Sequence, residues 1–169
     1  MIFRKLFDPR KEEKDLTVDV MSRLHMEHIM GQLPKNSCVV SINTPGEPHL
    51  PIPVPVLYLD FPDTEDRAGM SATDADKVVC FIAKNVNCGN CNIYVHCDQG
   101  ISRSAGVAAA ILRAYGKKED KILDCSDYCI NSRCYEMMLK AFHIPVTAEE
   151  VADAKHKSKI AYMQSWPKF

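Results

Sequence analysis

An excess of either charge is missing from this chain. Against 21 Lys and Arg stand 22 Asp and Glu, a formal net charge of −1 over 169 residues. That balance removes any global electrostatic argument for nucleic acid or an anionic membrane as a partner. Long apolar runs are missing as well: no stretch approaches the roughly 20 residues that a membrane-spanning helix needs. The opening residues, Met1-Ile2-Phe3-Arg4-Lys5-Leu6-Phe7-Asp8, are broken by charge before a signal-peptide core can form. The eight cysteines are therefore expected to be reduced thiols of a cytoplasmic protein rather than a disulfide framework. Repeats and low-complexity tracts are absent too. Length and composition fit one domain, residues 1–169, large enough to cover a central sheet on two faces.

What is present centres on Ile93-Tyr94-Val95-His96-Cys97-Asp98-Gln99-Gly100-Ile101-Ser102-Arg103-Ser104. An apolar strand runs into Cys97, five residues loop round, and Arg103 opens a helix of small residues whose amides and dipole point back at the cysteine. A five-residue turn of N–H groups is about what wraps the three non-bridging oxygens of a phosphoryl group. Gly100 permits a backbone approach that a Cβ would obstruct. Arg103 offers a planar fork matched to two phosphate oxygens. Loop amides, helix N-terminus and guanidinium all bring positive potential toward the sulfur of Cys97.

His96-Cys97-x5-Arg103-Ser104 resembles the signature of the cysteine-based protein tyrosine phosphatases, and Gly-Ile-Ser-Arg-Ser is closest to their dual-specificity group. The resemblance implies hydrolysis of phosphomonoesters through a cysteinyl-phosphate intermediate, without metal or cofactor. By it, Cys97 is the nucleophile, and Asp98, Gln99, Gly100, Ile101, Ser102 and Arg103 bind the phosphate. Ser104 hydrogen-bonds the thiolate as it leaves in the second step, and His96 orients the cysteine and its loop. The leaving oxygen needs a proton, which in the family comes from an aspartate on a loop after a strand, some thirty residues before the nucleophile. Asp60, Asp63, Glu65 and Asp66 compete for that role; Asp63 fits the position best, with Asp66 the runner-up.

Members that act on phosphoinositides carry lysines inside the loop, where this chain has Asp98 and Gln99. A carboxylate there repels a polyanionic headgroup. The expected partner is a phosphorylated protein or peptide, carrying phosphotyrosine alone or together with phosphoserine and phosphothreonine. A catalytically silent phosphate-recognition module of the same fold is the alternative. A rhodanese-like sulfur transferase is a third reading, opposed by Ser104 and His96.

Around this centre the hydrophobic pattern predicts strands at 16–21, 38–42 and 56–61 besides the one before Cys97. Helices are predicted from Ser22 to about residue 33, then over 71–86, 104–115, 117–125, 133–142 and 147–164. Together they give a single α/β domain with a mostly parallel central sheet flanked by helices, and the site at the carboxyl end of a central strand. Residues 1–15 are peripheral, and the helix over 147–164 carries no assigned role. His25 and His28 lack a third metal ligand, and Cys88-x-x-Cys91 lacks a second cysteine pair for zinc. Cys91 belongs at the far end of its strand from Cys97, which disfavours a disulfide between them.

Overall fold

Four runs rich in β-branched and aliphatic residues form the sheet: β1 (Thr17–Ser22), β2 (Ser37–Asn43), β3 (Val56–Asp60) and β4 (Asn92–Cys97). They lie in the order β1-β4-β2-β3, and every pairing is parallel. The sheet is thus wholly rather than mostly parallel among the residues 16–166 that this computed structural model describes. The peripheral reading of residues 1–15 lies outside the described residues.

Parallel strands cannot be joined by tight hairpins; the chain passes from β1 to β2 and from β3 to β4 through helices, and from β2 to β3 through the loop 44–55. After β1 comes α1 (Arg23–Ile29), capped by the Ser22 hydroxyl, which accepts from the His25 amide at 3.1 Å. The sequence pattern extends this helix to about residue 33, but it passes through a single 3₁₀ turn at Met30–Gln32 and stops. Leu33 precedes Pro34 and is extended, at ψ 138°, as the proline ring demands of its neighbour. Next come α2 (Ala72–Asn87), opened by a Ser71/Asp74 capping box, and α3 (Arg103–Ala114). The one-turn α4 (Asp120–Leu123), α5 (Ser132–Ala141) and α6 (Ala148–Gln164) follow.

Alternation along the strands divides the core in two. Val18, Val40, Ile42, Leu59, Ile93 and Val95 face a large cluster formed with α2, α3 and α5. The opposite face is thinner: Met21 and Val39 meet Met26 of α1 together with Leu50 and Ile52. α3 is buried nearly all round. It presses on α5 at Gly106, where an added Cβ would lie 2.5 Å from the Asn131 carbonyl oxygen and 3.1 Å from Cys134 Cβ.

Candidate active site

Because the strands are parallel, their carboxyl ends lie along one rim of the sheet, where such folds collect ligands. Thr44 follows β2, Phe61 and Asp63 follow β3, and Cys97 ends β4. Thr44, Asp63, Cys97, Asp98, Gln99, Ile101, Ser102, Arg103 and Tyr162 line one cavity of about 270 Å³.

The loop after Cys97 is held from outside. Asp98, Ile101 and Ser102 give their carbonyls to the amides of Arg23 (3.1 Å), Cys129 (3.1 Å) and Asn131 (3.0 Å) respectively. In a planar trans peptide the N–H points opposite to the carbonyl. The amides of Gln99, Ser102 and Arg103 therefore turn away from those anchors. The Gly100 amide donates to Cys97 Sγ at 3.3 Å, and Ser104 Oγ lies 3.1 Å from the same sulfur. Gly100 itself has φ +71°, and a Cβ there would sit 2.4 Å from Met21 C and Ser22 N. The close approach that requires glycine is thus to the end of β1.

Arg103 is 3% exposed. Its Nη1 donates to the Phe61 carbonyl at 2.8 Å, and its Nη2 meets the Asp98 carboxylate at 2.5 Å and Thr44 Oγ1 at 3.4 Å. Nε is buried and without a hydrogen-bond partner. Partial burial works to raise Asp98, but the Thr44 hydroxyl and the guanidinium outweigh it, and its carboxyl lies below the usual aspartate range.

Asp63 stands at the cavity wall. Its Oδ1 accepts from Asn131 Nδ2 at 2.8 Å and from Ser102 Oγ at 3.0 Å. Ser102 thereby leaves the start of α3 without a side-chain cap. The other loop acids are engaged elsewhere. Asp66 accepts from Thr64 Oγ1 and the Ala68 amide, and these bonds, the Ala68 one foremost, lower its carboxyl. Glu65 binds the Ser132 amide and Lys155 Nζ, both at 2.9 Å, and Asp60 binds His49. Of the four candidate acids only Asp63 lines the cavity.

His96 points from β4 toward the thinner side of the sheet. It is fully buried, and neither ring nitrogen has a hydrogen-bond partner. Burial drives its imidazole down to about 4, against partial opposition from the Cys97 main chain. Cys91, just before β4, and Cys97, at its end, are separated by the length of the strand.

Three contributors escaped the sequence reading. Thr44 lay in a segment legible only as a turn, and Tyr162 in a helix with no visible link to the loop. Asn131 sits one residue before α5, where its Oδ1 accepts from the Cys134 amide as an N-cap. Its cap chemistry was detectable in sequence, but its bond to Asp63 was not.

Fold and site together define a single α/β domain with a cysteine and an arginine in one polar cavity at the carboxyl rim of its sheet. No protein-family model and no curated protein matches the chain. Among solved structures it is similar to a mouse putative dual specificity phosphatase complexed with zinc tungstate, at 18% identity over 91% of this chain and 87% of that one, with a TM-score of 0.48. It is also similar to Tk-PTP in its active form, at 15% identity over 90% and 95% of the two chains (TM-score 0.45). A third is the human tyrosine phosphatase-like serine/threonine/tyrosine-interacting protein, at 18% identity over 82% and 85% (TM-score 0.44). The chemistry of the site rests on where its own side chains lie.

Proposed function

We propose that this protein hydrolyses phosphomonoesters on protein side chains, phosphotyrosine first, with Cys97 as nucleophile. The observation that carries the reading is the convergence of Cys97, the residues of its loop, Arg103 and Asp63 on one cavity, with the Gly100 amide donating to the sulfur. A phosphate there finds donors already fixed, so little reorganisation is needed as charge shifts in the transition state.

The sulfur of Cys97, as thiolate, attacks phosphorus in line, forming an S–P bond as the P–O bond to the side chain breaks. Asp63, protonated, gives its proton to the departing oxygen. As carboxylate it then takes a proton from water, which attacks the cysteinyl phosphate and releases inorganic phosphate. Ser104, 3.1 Å from the sulfur, stabilises the thiolate as it leaves. Arg103 Nε, buried and unpartnered, gains a phosphate oxygen as acceptor, which relieves the cost of an unsatisfied buried donor. His96, buried and neutral, supports the strand that delivers Cys97.

The test is release of phosphate from an aryl phosphate with a chelator present, for wild type and Cys97→Ser. Chelator-resistant turnover that disappears in Cys97→Ser is expected. Phosphate binding without turnover by wild type would make the chain a recognition module instead.

A further inference from the structure

We infer that Tyr162, on the C-terminal helix, forms the aromatic wall of the cavity and selects aryl phosphate esters, phosphotyrosine among protein side chains, over the shorter alkyl esters of serine and threonine. This rests on the phosphate site proposed above and adds what lies beyond the phosphate.

The stripe that α6 buries runs Val151, Ala154, Ser158, and at the same helical spacing the next position is Tyr162. The first three pack against the domain, whereas Tyr162 reaches the cavity of Cys97 and Asp63. The helix holding it is fixed in place. Ser158 Oγ accepts from the Ile130 amide at 3.0 Å and donates to the Tyr128 carbonyl at 3.2 Å. Lys155 Nζ donates to the Ile130 carbonyl at 2.7 Å and pairs with Glu65 of the acid loop at 2.9 Å.

The chemistry of the lining is divided. Thr44, Asp63, Cys97, Asp98, Gln99, Ser102 and Arg103 carry polar or nucleophilic groups; Ile101 and Tyr162 carry the extended apolar surfaces. Phosphate belongs with the first set, and the carbon skeleton of the ester with the second. A phosphotyrosine ring follows its phosphate directly and presents a flat apolar face to Tyr162. Phosphoserine offers one methylene there and then polar main chain. Trp166 lies edge-on to Tyr162, with centroids 6.1 Å apart and planes at 71°, and is 61% exposed.

The experiment reads binding, so that it does not depend on turnover. Cys97→Ser protein is titrated with a phosphotyrosine peptide, the phosphothreonine peptide of the same sequence, and inorganic phosphate. The phosphotyrosine peptide is expected to bind at least tenfold tighter than its counterpart. Adding Tyr162→Ala should erase most of that margin by weakening the phosphotyrosine peptide alone, with inorganic phosphate unchanged within about twofold, while Tyr162→Phe keeps it. Equal binding of the two peptides to Cys97→Ser, or equal weakening of both by Tyr162→Ala, would overturn the inference. The hydrolase reading fails separately, on absence of turnover by wild type.

Discussion

The side-chain amide of Asn131 donates to the carboxylate of Asp63 at 2.8 Å, across 68 positions of sequence, while its own carbonyl caps α5. One residue therefore joins the start of a helix to the loop after β3. Ser102, from the cysteine loop, donates to the same carboxylate oxygen. Asp63 is thus fixed from two directions at the wall of the cavity. In the proposed role of general acid it would be worth roughly 10²- to 10⁴-fold in rate when the leaving group is a poor one. Asp63→Asn should lose a factor in that range on alkyl phosphates and far less on esters of acidic phenols, giving a steeper dependence of rate on leaving-group acidity. Asp66→Asn should leave that dependence as in wild type. Kinetics over a series of phenyl phosphates decide the matter, and an unchanged slope in Asp63→Asn would exclude it as the acid.

Asp98 places a negative charge on Arg103 Nη2, where the proposed reaction would bring a phosphate. Its carboxyl lies below the usual range, so the charge persists at neutral pH. An anion entering the cavity must work against it. Asp98→Asn keeps the shape and removes the charge, and should tighten competitive inhibition by inorganic phosphate several-fold. The gain should be larger for the doubly charged anion, so the inhibition constant should be measured at pH 6 and pH 8. Weaker inhibition would mean that Asp98 serves mainly to hold the guanidinium in place.

His96 makes stability depend on acidity. With its folded pKa driven down to about 4 from an unfolded value of about 6.5, the unfolded chain binds more protons between those limits. The stabilisation is complete above about pH 6.5 and is lost as pH falls toward 4, by an amount on the order of 3 kcal/mol. Urea unfolding at intervals from pH 7 to pH 4 should show that decline. His96→Gln, whatever its own stability, should show a shallower one over the same window, and an identical slope would remove His96 as the cause.

Most of the fold was legible because local signals and tertiary needs agree here. The β-branched run before Asn43, the apolar run before Cys97, the Ser71 cap, the Thr147 capping box and the apolar run of α3 each gave the right element to within a few residues. The cysteine loop was legible for a different reason: the residues it brings to the cavity are nearly consecutive in sequence. The remainder of the site was not, because Thr44, Asn131 and Tyr162 reach it through strand order and helix packing. Nothing around Tyr162 in sequence signals which cavity its ring will line. Asp63 lay between these cases, since its strand placed it near the rim but only Asn131 and Ser102 distinguish it from Asp66.

One anchor of the guanidinium is a main-chain atom, the carbonyl of Phe61. Any amino acid supplies that oxygen. The grip on Arg103 is therefore indifferent to what residue occupies position 61, and alanine scanning would pass over it, reporting only the loss of a buried ring.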